Sequence, residues 1–223
     1  SCVLVDRDDT LPSIFSIDMA IGLYVARRPG IGIHAGRIRG IYSKIRGAEV
    51  QHTGVIPFLK KFEPTVRCCT QNGVRGGNAT VHFPIWHPEI EDILVLKNNK
   101  GTEDNRVRRM DYSIQISKLF YERFMNEEEI TLISPHMAPG LYEAFGTEDF
   151  DDLYLKYEAD KTIPKKTVAA QDLFFDLLKE RAETGRIYIM NLDHCNSHSS
   201  FKDKVSMSNL CQEITLPTTP IQH

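Results

Sequence analysis

Short apolar stretches that read as buried strands alternate along this chain with segments of helical apolar spacing, and this alternation constrains the fold most. Residues 1–5 are strand-like. Asp9 and Thr10 can cap a helix with Pro12 in its first turn, and Leu11, Phe15, Met19 and Leu23 then recur four apart, with Ile14, Ile21 and Val25 alongside. Arg27-Arg28-Pro29-Gly30 stops that helix. Further strands are expected at 31–38, 80–83, 111–116, 130–134 and 186–190. Helices are expected at 53–68, from Pro88 through Ile90, Ile93, Leu94 and Leu96, at 119–125, in two pieces over 141–157, and at 166–183. Residues 97–109 and 191–208 read as polar loops, and 72–78 as a glycine-rich turn. Strands alternating with helices imply an α/β fold with largely parallel strands under crossover helices. Nothing marks a linker or an internal repeat, so one domain is expected. About five βα units are too few to close an eight-unit barrel.

A formal charge of −3 argues against general binding to nucleic-acid backbones. No apolar run is long enough to span a bilayer, and the first residues show no basic leader before an apolar stretch. The absence of an initiator Met and the ending Pro217-Thr218-Thr219-Pro220 suggest a piece of a longer chain. The five cysteines, Cys2, Cys68, Cys69, Cys195 and Cys211, are odd in number and irregularly spaced, which favours a reducing, cytoplasmic setting over a disulfide framework. The run His194-Cys195-Asn196-Ser197-His198 offers metal-ligand types without an obvious fourth ligand, so a plain loop is preferred and no metal is expected.

The chemistry concentrates at Asn209-Leu210-Cys211-Gln212-Glu213. In an extended segment, residues two apart project to one side, which would put an amide, a thiol and a carboxylate on one face. The amide can orient a hydroxyl, the thiol can do nucleophilic or radical work, and the carboxylate can take a proton. Taken alone, the triplet reads more simply as a short strand with an ordinary buried cysteine.

A larger pattern changes that balance. The strings Ser1-Cys2-Val3-Leu4, Gly30-Ile31-Gly32-Ile33, Gly36-Arg37-Ile38-Arg39, Ile45-Arg46-Gly47, Gly73-Val74-Arg75-Gly76-Gly77, Leu96-Lys97-Asn98-Asn99, Asn105-Arg106-Val107-Arg108, Met110-Asp111-Tyr112, Thr184-Gly185-Arg186-Ile187-Tyr188, Asp193-His194-Cys195-Asn196 and Ser208-Asn209-Leu210-Cys211 follow one another in order. In these strings, over essentially its whole length, the chain resembles the large subunit of class I (aerobic) ribonucleotide reductases. The resemblance implies about half of a ten-stranded α/β barrel plus a catalytic finger loop. It implies reduction of ribonucleoside diphosphates to deoxyribonucleotides by a cysteine thiyl radical. Cys211 matches the thiyl cysteine, Asn209 and Glu213 its companions on substrate, and Cys2 one member of the reducing dithiol. Ser1 and Gly30 match positions lining the substrate pocket. Asp9, Thr10, Leu11, Arg39 and Arg46 match the deoxynucleotide effector site, and residues 97–109 the loop linking effector to substrate. The partner thiol of Cys2 is expected beyond His223, so the segment alone is expected to be inactive.

The implied partners are the rest of the large subunit, a metal-containing small subunit that supplies the radical, a second large subunit in a homodimer, dNTP or ATP effectors, and thioredoxin or glutaredoxin as reductant. No cofactor is expected within the segment itself. His34 and Pro29 depart from the usual residues of the family. The glycine-rich turn lacks a P-loop lysine and reads as a tight turn rather than a phosphate cradle. Cys68, Cys69 and Cys195 read as structural thiols. A catalytically incomplete nucleotide-binding or assembly piece of a split subunit, and a glycyl-radical relative, are the competing readings.

Overall fold

The computed structural model describes residues 2–45, 50–71 and 75–220. In chain order, β1 (Cys2–Val5), α1 (Leu11–Val25) and β2 (Gly30–His34) lead into a small hairpin, β3 (Lys44–Ile45) and β4 (Val50–Gln51). Then come α2 (Ile56–Cys68), a second small hairpin of β5 (Thr70–Gln71) and β6 (Arg75–Gly76), β7 (Ala79–Pro84) and α3 (Ile90–Leu94). After a long loop follow β8 (Asp111–Ile116), α4 (Lys118–Met125), β9 (Glu129–Ile133), α5 (Leu141–Ala144), α6 (Phe150–Ala159), β10 (Lys165–Ala169) and α7 (Ala170–Thr184). The chain continues through β11 (Ile187–Asn191), α8 (Leu192–Ser197), β12 (Val205–Ser208) and β13 (Thr215–Pro217).

Five strands form one sheet in the order β1-β2-β7-β8-β11, every neighbouring pair parallel. Strand order equals chain order, so each crossover carries the chain one position along the sheet, as in a segment of an α/β barrel. The expected strand at 130–134 exists as β9, but it lies outside this sheet and pairs antiparallel with β10. The apolar spacing of α7 hid β10, which the sequence reading had merged into the helix. Residues 191–208 are likewise not all loop, because they contain α8 and β12.

The sheet's two faces differ. Ile31, Ile33, Val81, Phe83, Ile114 and Ile116 are buried in the same core as Ile14, Ile17 and Ile21 of α1 and Leu59 and Phe62 of α2. Burying one such side chain stabilises the fold by about 1.5–3 kcal/mol. The other face is polar. Gly32, Thr80 and Asp111 stand side by side, then His34, His82, Ser113 and Tyr188, then Pro84, Gln115 and Met190. A parallel sheet ordinarily buries apolar residues on both sides. Here the polar side is covered by the antiparallel hairpin of β12 and β13, the finger.

Helix α1 corrects one sequence expectation. Its buried stripe is Ile14, Ile17, Ile21 and Val25, whereas Leu11, Phe15, Met19 and Leu23 point outward and are 53%, 48%, 65% and 62% exposed. The helix therefore has two apolar faces, and only one serves this fold. Its cap is as expected, with Thr10 Oγ1 accepting from Ser13 N at 3.3 Å.

The finger approaches β2 closely enough to dictate its composition. A Cβ at Gly32 would lie 2.1 Å from the Ser208 carbonyl oxygen and 2.9 Å from the Asn209 Cα. Backbone cannot yield as a side-chain tip can, so Gly32→Ala should displace the hairpin and lower stability by about 1–3 kcal/mol in urea unfolding. Unchanged stability would mean that the finger does not rest on β2.

Candidate active site

The finger narrows to a turn at Asn209–Gln212. The Gln212 amide donates to the Asn209 carbonyl at 3.4 Å, and Gln212 takes a left-handed φ of 62°. This replaces the extended segment expected from sequence, so the alternation of Asn209, Cys211 and Glu213 does not operate as assumed. Asn209 is fully buried, whereas Cys211 and Glu213 are exposed. Burial, helped by the charges of Cys211, Asp111 and Glu213, pushes the Tyr188 phenol up.

Several bonds fix the tip on the sheet. Thr80 Oγ1 donates to the Leu210 carbonyl at 2.5 Å, Ser113 Oγ donates to Gln212 Oε1 at 2.5 Å, and Gln212 Nε2 donates to the Ile189 carbonyl at 2.8 Å. Thr80 and Ser113 are in the first half of their strands and Ile189 is at the centre of its own, so the tip sits over the N-terminal half of the sheet. At that end Cys2 pairs with Gly30. A Cβ on Gly30 would meet Leu210 Cδ2 at 2.5 Å and Cys2 Sγ at 3.3 Å. The strand carrying Cys2 and the turn carrying Cys211 thus converge on one glycine, which leaves room between them.

Asn209 Oδ1 accepts from Ile214 N at 3.0 Å and from Ser208 Oγ at 3.2 Å. Its Nδ2 is buried with no partner among the described residues. An unsatisfied buried donor costs about 1–3 kcal/mol, and a ligand oxygen would relieve that cost. Beneath the finger, burial and the neighbouring His34 hold His82 at a pKa of about 3, so its ring is neutral. Sequence reasoning passed over His82, Thr80, Ser113 and Tyr188. For His82, Thr80 and Ser113 the signal was the period-two alternation of polar and apolar residues within strands that are buried throughout.

A second cavity, of about 450 Å³, opens beside the start of α1. Asp9, Leu11, Arg39, Ile45, Val50 and His52 line it. Asp9 grips Arg39, accepting from its Nε at 2.7 Å and from its backbone N at 3.1 Å, and Arg39 Nη1 donates to the Lys44 carbonyl at 3.1 Å. The guanidinium is thereby held at the mouth of an apolar hollow, an arrangement suited to a ligand with an anionic and an apolar part. Asp9, Leu11 and Arg39 line this one cavity, whereas Thr10 spends its hydroxyl on the helix cap. The lining residues Ile45, Val50 and His52, from β3, β4 and the turn after them, were missed. Glu89 ties the neighbourhood by accepting from Ile41 N and Val55 N at 3.1 Å, and burial pushes its carboxyl up to about 7. Ser1 and Arg46 lie outside the described residues.

The loop at 97–109 closes on itself. Lys97 Nζ donates to the carbonyls of Arg108 and Met110 and to Asp111 Oδ1, and Asn98 Oδ1 accepts from Lys100 N and Arg106 Nε. Arg109 N donates to Glu63 Oε1 of α2 at 2.6 Å, and α2 packs on α1. One contiguous path therefore runs from the cavity at α1, through α2 and the loop, to the strand ends beneath the finger tip.

The profile of the ribonucleotide reductase barrel domain matches residues 1–223. The chain belongs to the ribonucleotide reductase barrel-domain family. It is 57% identical over 228 residues to the ribonucleoside-diphosphate reductase subunit alpha of Haemophilus influenzae, a match covering 100% of this chain and 30% of the relative. It is 55% identical to the ribonucleoside-diphosphate reductase 1 subunit alpha of Escherichia coli and 47% identical to the ribonucleoside-diphosphate reductase subunit alpha of phage T4, each match covering 99% of this chain and 30% of the relative. The chain thus spans about 30% of the length of these relatives. Membership of the barrel family fits the one-directional, five-stranded parallel sheet. Among the described residues no cluster of three or more metal-binding side chains occurs, and no helix is long and apolar enough to cross a membrane. The run 194–198 is largely α8, with the His194 and His198 rings 6.1 Å apart, edge to face.

Proposed function

We propose that this segment carries the substrate-reducing centre of a ribonucleoside-diphosphate reductase, within a single barrel domain. The observation that carries the reading is the convergence of the Cys211 turn and the Cys2 strand at Gly30, beside the unpartnered amide donor of Asn209. In this reading a thiyl radical on Cys211 takes the hydrogen atom from C3′ of the ribose. Glu213 accepts the 3′-hydroxyl proton and the Asn209 amide holds the substrate oxygen in line. The 2′-hydroxyl then leaves as water. Cys2 and a second thiol outside this chain supply two electrons and two hydrogens and end as a disulfide. Cys211 returns its hydrogen to C3′, and the radical is regenerated. The sum is one ribose C–OH and two thiols converted to C–H, water and one disulfide. Gly30, and Ser1 next to Cys2, belong to the substrate pocket.

The cavity of Asp9, Leu11 and Arg39 is read as a deoxynucleotide effector site, with Arg46 nearby in sequence. The loop at 97–109 is read as its link to the substrate. The outward stripe of Leu11, Phe15, Met19 and Leu23 supports a homodimer that covers α1, because so much apolar surface along one helix favours a partner. A metal-containing small subunit would supply the radical, and thioredoxin or glutaredoxin would restore the dithiol in the cytoplasm.

Two variants of the complete subunit test these assignments. Cys2→Ser should bind nucleoside diphosphate normally yet fail to sustain turnover, whereas steady deoxynucleotide production would remove Cys2 from the redox pair. Arg39→Ala should weaken dTTP or dATP binding by about tenfold or more in calorimetry, the loss expected for one charge-assisted contact. Unchanged affinity would place the effector elsewhere.

A further inference from the structure

Behind the tip, a closed circuit of buried polar groups joins the two legs of the finger through the barrel wall. Its first link is on β12, where the Ser206 carbonyl accepts from Gln115 Nε2 at 2.5 Å. Gln115 Oε1 accepts from the Tyr142 hydroxyl at 3.0 Å. That hydroxyl also meets His34 Nε2. His34 Nδ1 stands 3.3 Å from Asp6 Oδ1, with Arg37 Nε 3.7 Å from the same oxygen. The circuit ends just past β13, where Thr218 Oγ1 donates to Asp6 Oδ2 at 2.9 Å. Asp6, His34, Gln115 and Tyr142 are all buried, and they come from the end of β1, from β2, from β8 and from α5.

The direction of these bonds is dictated by chemistry. The Ser206 carbonyl can only accept, so the Gln115 amide nitrogen must face it and the amide oxygen must face Tyr142. The one hydroxyl proton of Tyr142 then goes to Gln115, and His34 Nε2 must donate to the phenol oxygen. From Ser206 to His34 no link can reverse without breaking its neighbour. His34 Nδ1 makes no hydrogen bond among the described residues, so its 3.3 Å approach to Asp6 joins the two parts by close packing and is not a further directed bond. Lys204, which leads into β12, adds a tie from the same helix by donating to the Tyr142 carbonyl at 2.8 Å.

We infer that Asp6, His34, Gln115 and Tyr142 are positioning residues that grip both legs of the finger and so set where Cys211 stands at its tip. None of them reaches the tip itself, which is held separately by Thr80, Ser113 and Gln212. The grip fixes the height and tilt of the hairpin, and the tip bonds fix its final register. The catalytic consequence rests on Cys211 being the reacting thiol; the mechanical one does not.

The test uses the complete large subunit and two independent readouts. The first is the rate at which iodoacetamide labels Cys211, followed by peptide mass spectrometry. The second is kcat and KM for a nucleoside diphosphate with the radical-supplying partner present. Tyr142→Phe removes one oxygen at the centre of the circuit, and Thr218→Val opens it at a less buried end should the first variant fail to fold. Each should change Cys211 labelling by about threefold or more, as a loosened local element does. Each should lower kcat by about tenfold or more at unchanged KM, as expected for a misplaced reacting group. The double variant should be no slower than the worse single one, and Thr218→Ser should retain the parent values. Unaltered labelling in both variants, or losses that multiply in the double variant, would overturn the circuit as a unit. If labelling responds but the parent subunit itself does not reduce nucleotide, the grip stands and the functional reading fails. If labelling responds and turnover does not, the grip does not position the reacting thiol.

Discussion

Everything in this structure depends on a hairpin being allowed to lie against one face of a parallel sheet. That contact is possible because Gly32 presents bare backbone to Ser208 and Asn209, and Gly30 presents it to Leu210. A side chain at either position would occupy the space that the finger fills. The polar face follows from the same contact. A hairpin brings carbonyls that must be satisfied, and Thr80, Ser113 and Gln115 answer the groups of Leu210, Gln212 and Ser206. The opposite face meets helices and is mostly apolar, with Ile31, Ile33, Val81, Phe83, Ile114 and Ile116 in the core.

This division sets where chemistry can occur. The helix-covered side is a closed core. The finger side is a built interior whose exposed end carries two cysteine-bearing elements, Cys2 on the wall and Cys211 on the hairpin. The Asn209 amide donor, buried without a partner among the described residues, lies at the same end. The cavity at Arg39 lies by the other ends of the strands, and the α1–α2 pair and the loop at 97–109 bridge the two. A ligand that shifted α1 would press on the loop through Glu63 and Arg109.

Much of the fold was legible from apolar spacing. All five strands of the sheet were anticipated, and β8 was anticipated at its observed bounds. The failures have physical reasons. β9 looked like one more parallel strand because strand pattern alone does not reveal a partner. β10 has little apolar content and precedes a strong helix. The exposed stripe of α1 was indistinguishable by period from its buried stripe, since both are apolar and both repeat at helical spacing. At the site, the acid and the arginine of the α1 cavity were readable, and the turn at the finger tip was not. Gln212 adopts a left-handed conformation with nothing in its residue type to announce it. The polar circuit from Asp6 to Gln115 could not be read at all, because it joins residues far apart in sequence through side chains of ordinary kinds.

In the proposed reaction Cys211 begins the chemistry on the ribose. Replacing its sulfur by oxygen preserves shape but puts the required radical out of reach. The decisive measurement is tritium release from a 3′-labelled ribonucleoside diphosphate by the complete Cys211→Ser subunit with its radical-supplying partner. Normal substrate binding, no deoxynucleotide and no released tritium are expected. Persistent release of tritium in that variant would show that another residue starts the chemistry.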